Sequence, residues 1–64
     1  MVVEVNGVDV EFDEVIQIFD SHGAYCQEVE VQGYDDEGVE YSAIGTYDGF
    51  DITEIEEDSI EVLG

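Results

Sequence analysis

Asp13-Glu14-Val15-Ile16-Gln17-Ile18-Phe19-Asp20-Ser21-His22-Gly23 is the stretch whose reading decides the fold, because its apolar residues do not alternate as they do elsewhere. Val15, Ile16, Ile18, Phe19 and His22 fall at i, i+1, i+3, i+4 and i+7, which predicts one apolar helical stripe. Glu14, Gln17, Asp20 and Ser21 would lie opposite. Asp13 suits the N-cap, Glu14 the positive helix end and Gly23 the C′ position. A helix of about nine residues does not persist alone in water, so this one is expected to pack on a sheet.

The flanks supply that sheet. Val2-Val3-Glu4-Val5 and Val8-Asp9-Val10-Glu11-Phe12 surround Asn6-Gly7, the strongest short hairpin signal. A two-residue turn there pairs Val5 with Val8, Val3 with Val10 and Met1 with Phe12 on an apolar face. It leaves Val2, Glu4, Asp9 and Glu11 on the other face, with Glu4 opposite Asp9. After the helical stretch, Gln27 to Gln32 alternates strictly, Gly33 to Gly38 reads as a turn, and Val39 to Ile44 as the next strand. Asp48-Gly49 predicts a second two-residue hairpin that pairs Tyr47 with Phe50 and Gly45 with Ile52. Residues 52–63 fit either a capping-box helix from Thr53 or a turn at Glu56 to Ser59 followed by a strand at Ile60 to Leu63. The Ile and Val content favours the strand. The expected fold is therefore α+β in one domain, residues 1–64: an N-terminal β-hairpin, one short helix, then an antiparallel meander of three or four strands, ββαβββ(β).

Composition bounds what such a domain can do. The 64 residues hold 19 Asp and Glu, no Lys or Arg and one His, for a formal charge of −19. Without Lys or Arg the chain has no side-chain clamp for phosphate, no Schiff-base lysine and no arginine finger. Direct nucleic-acid binding through counterion release is excluded, and anionic membranes should repel the chain. High net charge favours disorder, but 44% hydrophobic residues in a regular pattern, and no Pro, point to a folded domain with a small margin of stability. Cys26 is the only cysteine, so no internal disulfide staples the core, and a reducing, cytoplasmic setting is expected. The opening Met1-Val2-Val3-Glu4 has no basic n-region, so the chain is expected to be intact and without a signal peptide.

No catalytic group stands out. His22 and Cys26 are four residues apart, but His22 completes the apolar stripe and Cys26 is expected beside the core. A negative surround would also raise a thiol's pKa and blunt it. The expectation is a non-enzyme with no cofactor and no dedicated metal. The seven glycines show no phosphate-cradling order. Asp35-Asp36-Glu37 and Asp48-Gly49-Phe50-Asp51 offer hard oxygen ligands without EF-hand spacing, so a Ca²⁺-binding module stays open as an alternative. A small structural or adaptor protein of halophilic type, acidic for solubility alone, is another.

The charge itself is the most specific feature. A compact chain of this length is about 28 Å across, and that length of duplex DNA carries about 16 phosphates. Same-face side chains on a strand are about 6.6–6.8 Å apart, close to the spacing of neighbouring phosphates. Glu28 with Glu30, and Glu4 with Asp9 and Glu11, form rows of that kind. A surface selected for solubility would mix both signs, because self-repulsion costs stability.

In size, net charge and lack of basic residues the whole chain resembles the small acidic DNA-mimic inhibitors of bacteriophages and mobile elements, the anti-CRISPR, anti-restriction and glycosylase-inhibitor proteins. Those families share no motif, so the resemblance transfers no residue. It implies an inhibitor acting in the host cytoplasm that fills the basic channel of a defence nuclease complex, a CRISPR effector first and a restriction enzyme second. Such a protein would work as a monomer or homodimer. Arg and Lys that normally grip phosphate would grip carboxylates instead. The expected contact face is the densest acidic region, Asp35, Asp36, Glu37, Glu40, Asp48, Asp51, Glu54, Glu56, Glu57 and Asp58, with Tyr34 and Tyr47 as aromatic anchors.

Overall fold

The computed structural model describes residues 1–21 and 26–64, and over these the chain is all-β. Six antiparallel strands curl into a nearly closed barrel: β1 (Val2–Val5), β2 (Val8–Ser21), β3 (Gln27–Tyr34), β4 (Glu40–Tyr47), β5 (Ile52–Ile55) and β6 (Glu61–Val62). A 3₁₀ turn, Glu57–Ser59, separates the last two. Strands β1 to β5 follow one another in the sheet, and β6 joins β5 on the same edge of β4.

The expected helix, and with it the α+β class, is wrong. Residues 13–21 continue β2, which runs 14 residues without a break. The eight residues Tyr34 to Gln27 of β3 face the eleven residues Glu11 to Ser21 of β2, and the register slips between Phe12 and Glu14, Val15 and Gln17, and Ile18 and Asp20. The surplus residues are Asp13, Ile16 and Phe19, one β-bulge every third position. Between bulges, Phe12, Val15 and Ile18 lie opposite Gly33, Val31 and Val29 of the inner face. Glu11, Glu14, Gln17 and Asp20 lie opposite Tyr34, Gln32, Glu30 and Glu28 of the outer face. A strand bulged in this way repeats every three residues, and three lies closer to the helical 3.6 than to the strand's 2. The expected apolar stripe does not form one buried face: only Val15 packs on the core, Ile16, Ile18 and Phe19 are exposed, and the near-helical spacing reflects the bulges. His22 and Gly23, two of the expected helix markers, lie outside the described residues.

The N-terminal hairpin forms as expected. Val5 pairs Val8, Val3 pairs Val10 and Glu4 pairs Asp9, while the Phe12 N–H donates to the Met1 carbonyl at 2.9 Å. Asn6 and Gly7 both take positive φ (52° and 83°), as a type I′ turn requires. Gly33 was expected to open a turn and instead sits inside β3 opposite Phe12, where β2 crosses so closely that a Cβ would strike the Glu11 carbonyl. The turn is confined to Asp35–Val39, closed by Asp35 N–H to Val39 O (3.1 Å) and Gly38 N–H to Asp35 O (3.1 Å). At the next hairpin Tyr47 pairs Ile52 and Gly45 pairs Ile55, not Phe50 and Ile52, because Asp48 to Asp51 form a four-residue loop closed by Asp48 N–H to Asp51 O. At the C-terminus the strand reading holds in shortened form. Glu61–Val62 pairs with Tyr41 and Ser42, and the expected turn before it is the 3₁₀ segment.

Val10, Phe12, Val29, Val31, Tyr41, Ala43 and Ile55 make up the core, so β2 to β5 all contribute. Ser59 fastens the end of the 3₁₀ turn to β4. Its Oγ accepts the Ile44 N–H at 2.8 Å and donates to the Glu56 carbonyl at 2.6 Å. Among the described strands, β2 pairs beyond Phe12 with β3 alone, so no other described strand joins its second edge along residues 13–21. Bulges there twist the edge away from edge-to-edge pairing.

Candidate interaction face

The sheet register lays the outer side chains out as rows across the strands. Glu4 neighbours Asp9. The next row runs Glu11, Tyr34, Glu40, and the one after it Glu14, Gln32, Ser42, Glu61. Then follow Gln17, Glu30, Ile44 and, last, Asp20, Glu28, Thr46, Glu54. In an ordinary sheet Lys or Arg would fill the positions beside these acids. Here Gln17, Gln32 and Thr46 fill them with neutral polar groups and Ser42 is buried, which limits repulsion without cancelling the field. Among the described residues, Glu4 with Asp9 and Asp20 with Glu28 set two acids directly opposite each other in adjacent strands. Each such pair costs a few tenths to ~1 kcal/mol.

Among the described residues, which include all 19 acids, no acid is buried. The backbone extends 35 × 18 × 16 Å with a radius of gyration of 11.2 Å. A duplex segment of that length carries about 20 phosphates, one per ~1.7 Å, against the 19 carboxylates of this chain. The domain is longer than the ~28 Å expected of a sphere, and its charge per unit length still equals that of DNA. Among the described residues the only cation is the α-ammonium of Met1, held by Glu11 Oε2 at 2.7 Å and by the Phe12 carbonyl at 2.8 Å.

The acids expected to form one contact face are divided by the fold. Asp35, Asp36 and Glu37 sit at the β3–β4 turn, while Asp48 and Asp51 sit at the opposite end of β4. Glu40 and Glu54 belong to the outer rows. Glu56, Glu57 and Asp58 follow β5 into the 3₁₀ turn, and Glu54 and Glu57 come near Glu4 across the barrel's open seam. Tyr34 is 49% exposed between Glu11 and Glu40, whereas Tyr47 is half-buried and packs on the core. Sequence reasoning left Glu14, Asp20, Glu28 and Glu30 out of the face. The signal for the first two was the three-residue spacing Glu11, Glu14, Gln17, Asp20, which a helix hides and a bulged strand puts on one side.

Two of the expected contact acids have structural duties. The Asp35 carboxylate accepts the N–H groups of Glu37 (2.8 Å) and Val39 (3.0 Å) and the Tyr41 hydroxyl (3.0 Å). Asp48 accepts Phe50 N–H at 2.8 Å and Asp51 N–H at 2.6 Å. The Val39 N–H above all holds the Asp35 pKa below its ordinary 3.8, and the Asp51 N–H does the same for Asp48. A lowered folded pKa stabilises the fold at pH above the unfolded value, and that share is lost as pH falls through the folded one. Thermal melts across pH should therefore show an acid limb below pH 3.8, and the Asp35→Asn/Asp48→Asn double variant should show a flatter limb starting from a lower stability at pH 7. An unchanged limb in the double variant would place the acid transition elsewhere.

Cys26 is exposed rather than beside the core, and His22 lies outside the described residues. Among the described residues no three His, Cys, Asp or Glu side chains converge as metal ligands. Compared with protein-family models, with curated proteins and with solved structures, the chain has no match.

Proposed function

We propose that this protein is a DNA- or RNA-mimicking inhibitor that occupies the basic nucleic-acid channel of another protein, a defence nuclease complex of the CRISPR-effector or restriction class. One observation carries the reading: 19 carboxylates, none buried, stand on a 35 Å scaffold with no Lys or Arg among them, at the linear charge density of a duplex. A scaffold held by a sheet keeps the acids at fixed spacings. Arg and Lys side chains that fork onto phosphates can fork onto these carboxylates in charge-assisted pairs. Long-range attraction steers the encounter, so association is fast and screened by salt.

The test starts from capture of the partner on immobilised protein from a bacterial lysate, with salt-gradient elution. Affinity for the isolated partner should fall by roughly a thousandfold or more between about 50 and 200 mM salt, on the scale of proteins that neutralise six or more phosphates. The partner's own DNA or RNA should compete for the same site. A salt-indifferent complex that forms equally well on the nucleic-acid-loaded partner would overturn the reading.

A further inference from the structure

The structure has a cleft of mixed polar and apolar lining where β2 faces the β4–β5 loop. Val15, Tyr47, Phe50 and Ile52 line it together with Met1, Asp13 and Asp51. Asp13 is the first bulge residue of β2, and a bulge re-aims its side chain. Phe50 is 82% exposed. Its loop is nonetheless tied down, by the two N–H bonds to the Asp48 carboxylate, by Asp48 N–H to Asp51 O at 3.1 Å, and by Gly49 at φ 98°. An aromatic ring is thus presented to solvent on a fixed loop between two acids. At about 260 Å³ the cleft is smaller than the roughly 300–1,000 Å³ of small-molecule sites and matches a single side chain.

We infer that this cleft receives one arginine side chain of the basic partner. The methylene stem lies along the apolar wall, the guanidinium plane stacks on Phe50, and Asp13 and Asp51 accept its N–H groups. This inference rests on the reading of the protein as a decoy for a basic channel, and it names the anchor within that contact. Charge complementarity selects the occupant. Its two ionisable side chains, Asp13 and Asp51, are acids, and the one cation among the described residues, the ammonium of Met1, which also lines the cleft, is already held by Glu11. A second copy of the chain would bring another −19 against the same acids.

The probe is the blocked tripeptide acetyl-Gly-Arg-Gly-amide, titrated into the ¹⁵N-labelled full chain at low salt, with the Lys analogue alongside. Saturable amide shifts confined to residues around Asp13, Tyr47, Phe50 and Asp51, several-fold tighter for Arg than for Lys, are expected. Phe50→Ala should weaken the Arg peptide about fivefold, the scale of one cation–π contact, with the rest of the spectrum unchanged because this side chain is outside the core. Asp51→Asn, whose backbone bonds remain, should weaken it similarly. Shifts spread evenly over the outer rows without saturation, shifts centred elsewhere, or equal response to Arg and Lys would overturn the inference. Phe50 shifts that track protein concentration alone would assign the cleft to a second copy and also overturn it. Displacement of DNA from the captured partner is measured in parallel. Displacement without a cleft response removes the anchor and leaves the decoy reading standing, whereas failure of the wild-type protein to displace DNA removes the decoy reading itself.

Discussion

Gly33→Ala should lower the melting temperature by about 15 °C or more. A Cβ at this position would press on the Glu11 carbonyl oxygen and come within 2.8 Å of the Glu11 carbonyl carbon and 2.9 Å of Phe12 Cα. These are backbone atoms at the first bulge, and no rotamer change can move them aside. Overpacking a core typically costs about 1–3 kcal/mol when side chains can yield, so about 3 kcal/mol or more is expected here. In a domain of this size each kcal/mol moves the midpoint by about 4–8 °C. The whole stability of such a small core is about 3–5 kcal/mol, so much of the population should be unfolded at 37 °C. Gly64→Ala, with open space around it, is the matched control. A Gly33→Ala variant that melts within a few degrees of wild type would mean that β2 does not bend across β3 at Phe12.

Reversing three outer-row acids together, Glu14→Lys, Glu28→Lys and Glu30→Lys, should move stability and binding in opposite directions. In the fold these changes relieve repulsion. Glu28→Lys sets a cation opposite Asp20, and Glu14→Lys stands beside Glu11 on the same face. The one new opposite-charge cross-strand pair, between positions 20 and 28, contributes a few tenths to ~1 kcal/mol, so the midpoint should rise by a few degrees. In the complex the same changes put three cations against a basic channel. Each charge-assisted hydrogen bond to the partner is worth about 1.5–3 kcal/mol, so removing three should lower affinity by roughly 10³-fold or more. Reversing three acids outside those rows, Asp36 at the β3–β4 turn and Glu57 and Asp58 in the 3₁₀ turn, should cost much less. A triple variant that is more stable and still binds fully would separate the outer rows from the binding face and leave Asp36, Glu57 and Asp58 as the acids to pursue. An ordinary destabilising mutation cannot imitate the expected result, because weaker binding would accompany a firmer fold.

The strands that alternate with period two were legible. Asn6-Gly7 fixed its hairpin to the residue, and Gln27 to Gln32 gave the alternation of β3. The 13–21 stretch was not, because bulges are set by the partner strand. Nothing local to Asp13, Ile16 or Phe19 shows that Gly33, fourteen residues beyond Phe19, lets the backbones approach and bend. The Asp48-Gly49 signal failed for a different reason. Asp48 commits its carboxylate to the N–H groups of Phe50 and Asp51, which favours the longer loop and turns Phe50 outward. The charge of the site could be read in full from composition, but its layout could not. Rows such as Glu14, Gln32, Ser42, Glu61 draw on β2, β3, β4 and β6, and they exist only once the register is set.

The bulged ribbon also constrains how this chain can change length. Between Phe12 and Asp20 three residues of β2 advance for every two of β3, like gears with unequal teeth. Removing or adding one residue in β2 would turn the remaining arm over, carrying acids inward and apolar groups out. A deletion of three in β2 matched by two in β3 and two in β4 would shorten the arm by one cog and leave every surviving residue on its own side. Related chains of other lengths should therefore differ in those matched steps, and a designer could lengthen the polyanion the same way, one cog at a time.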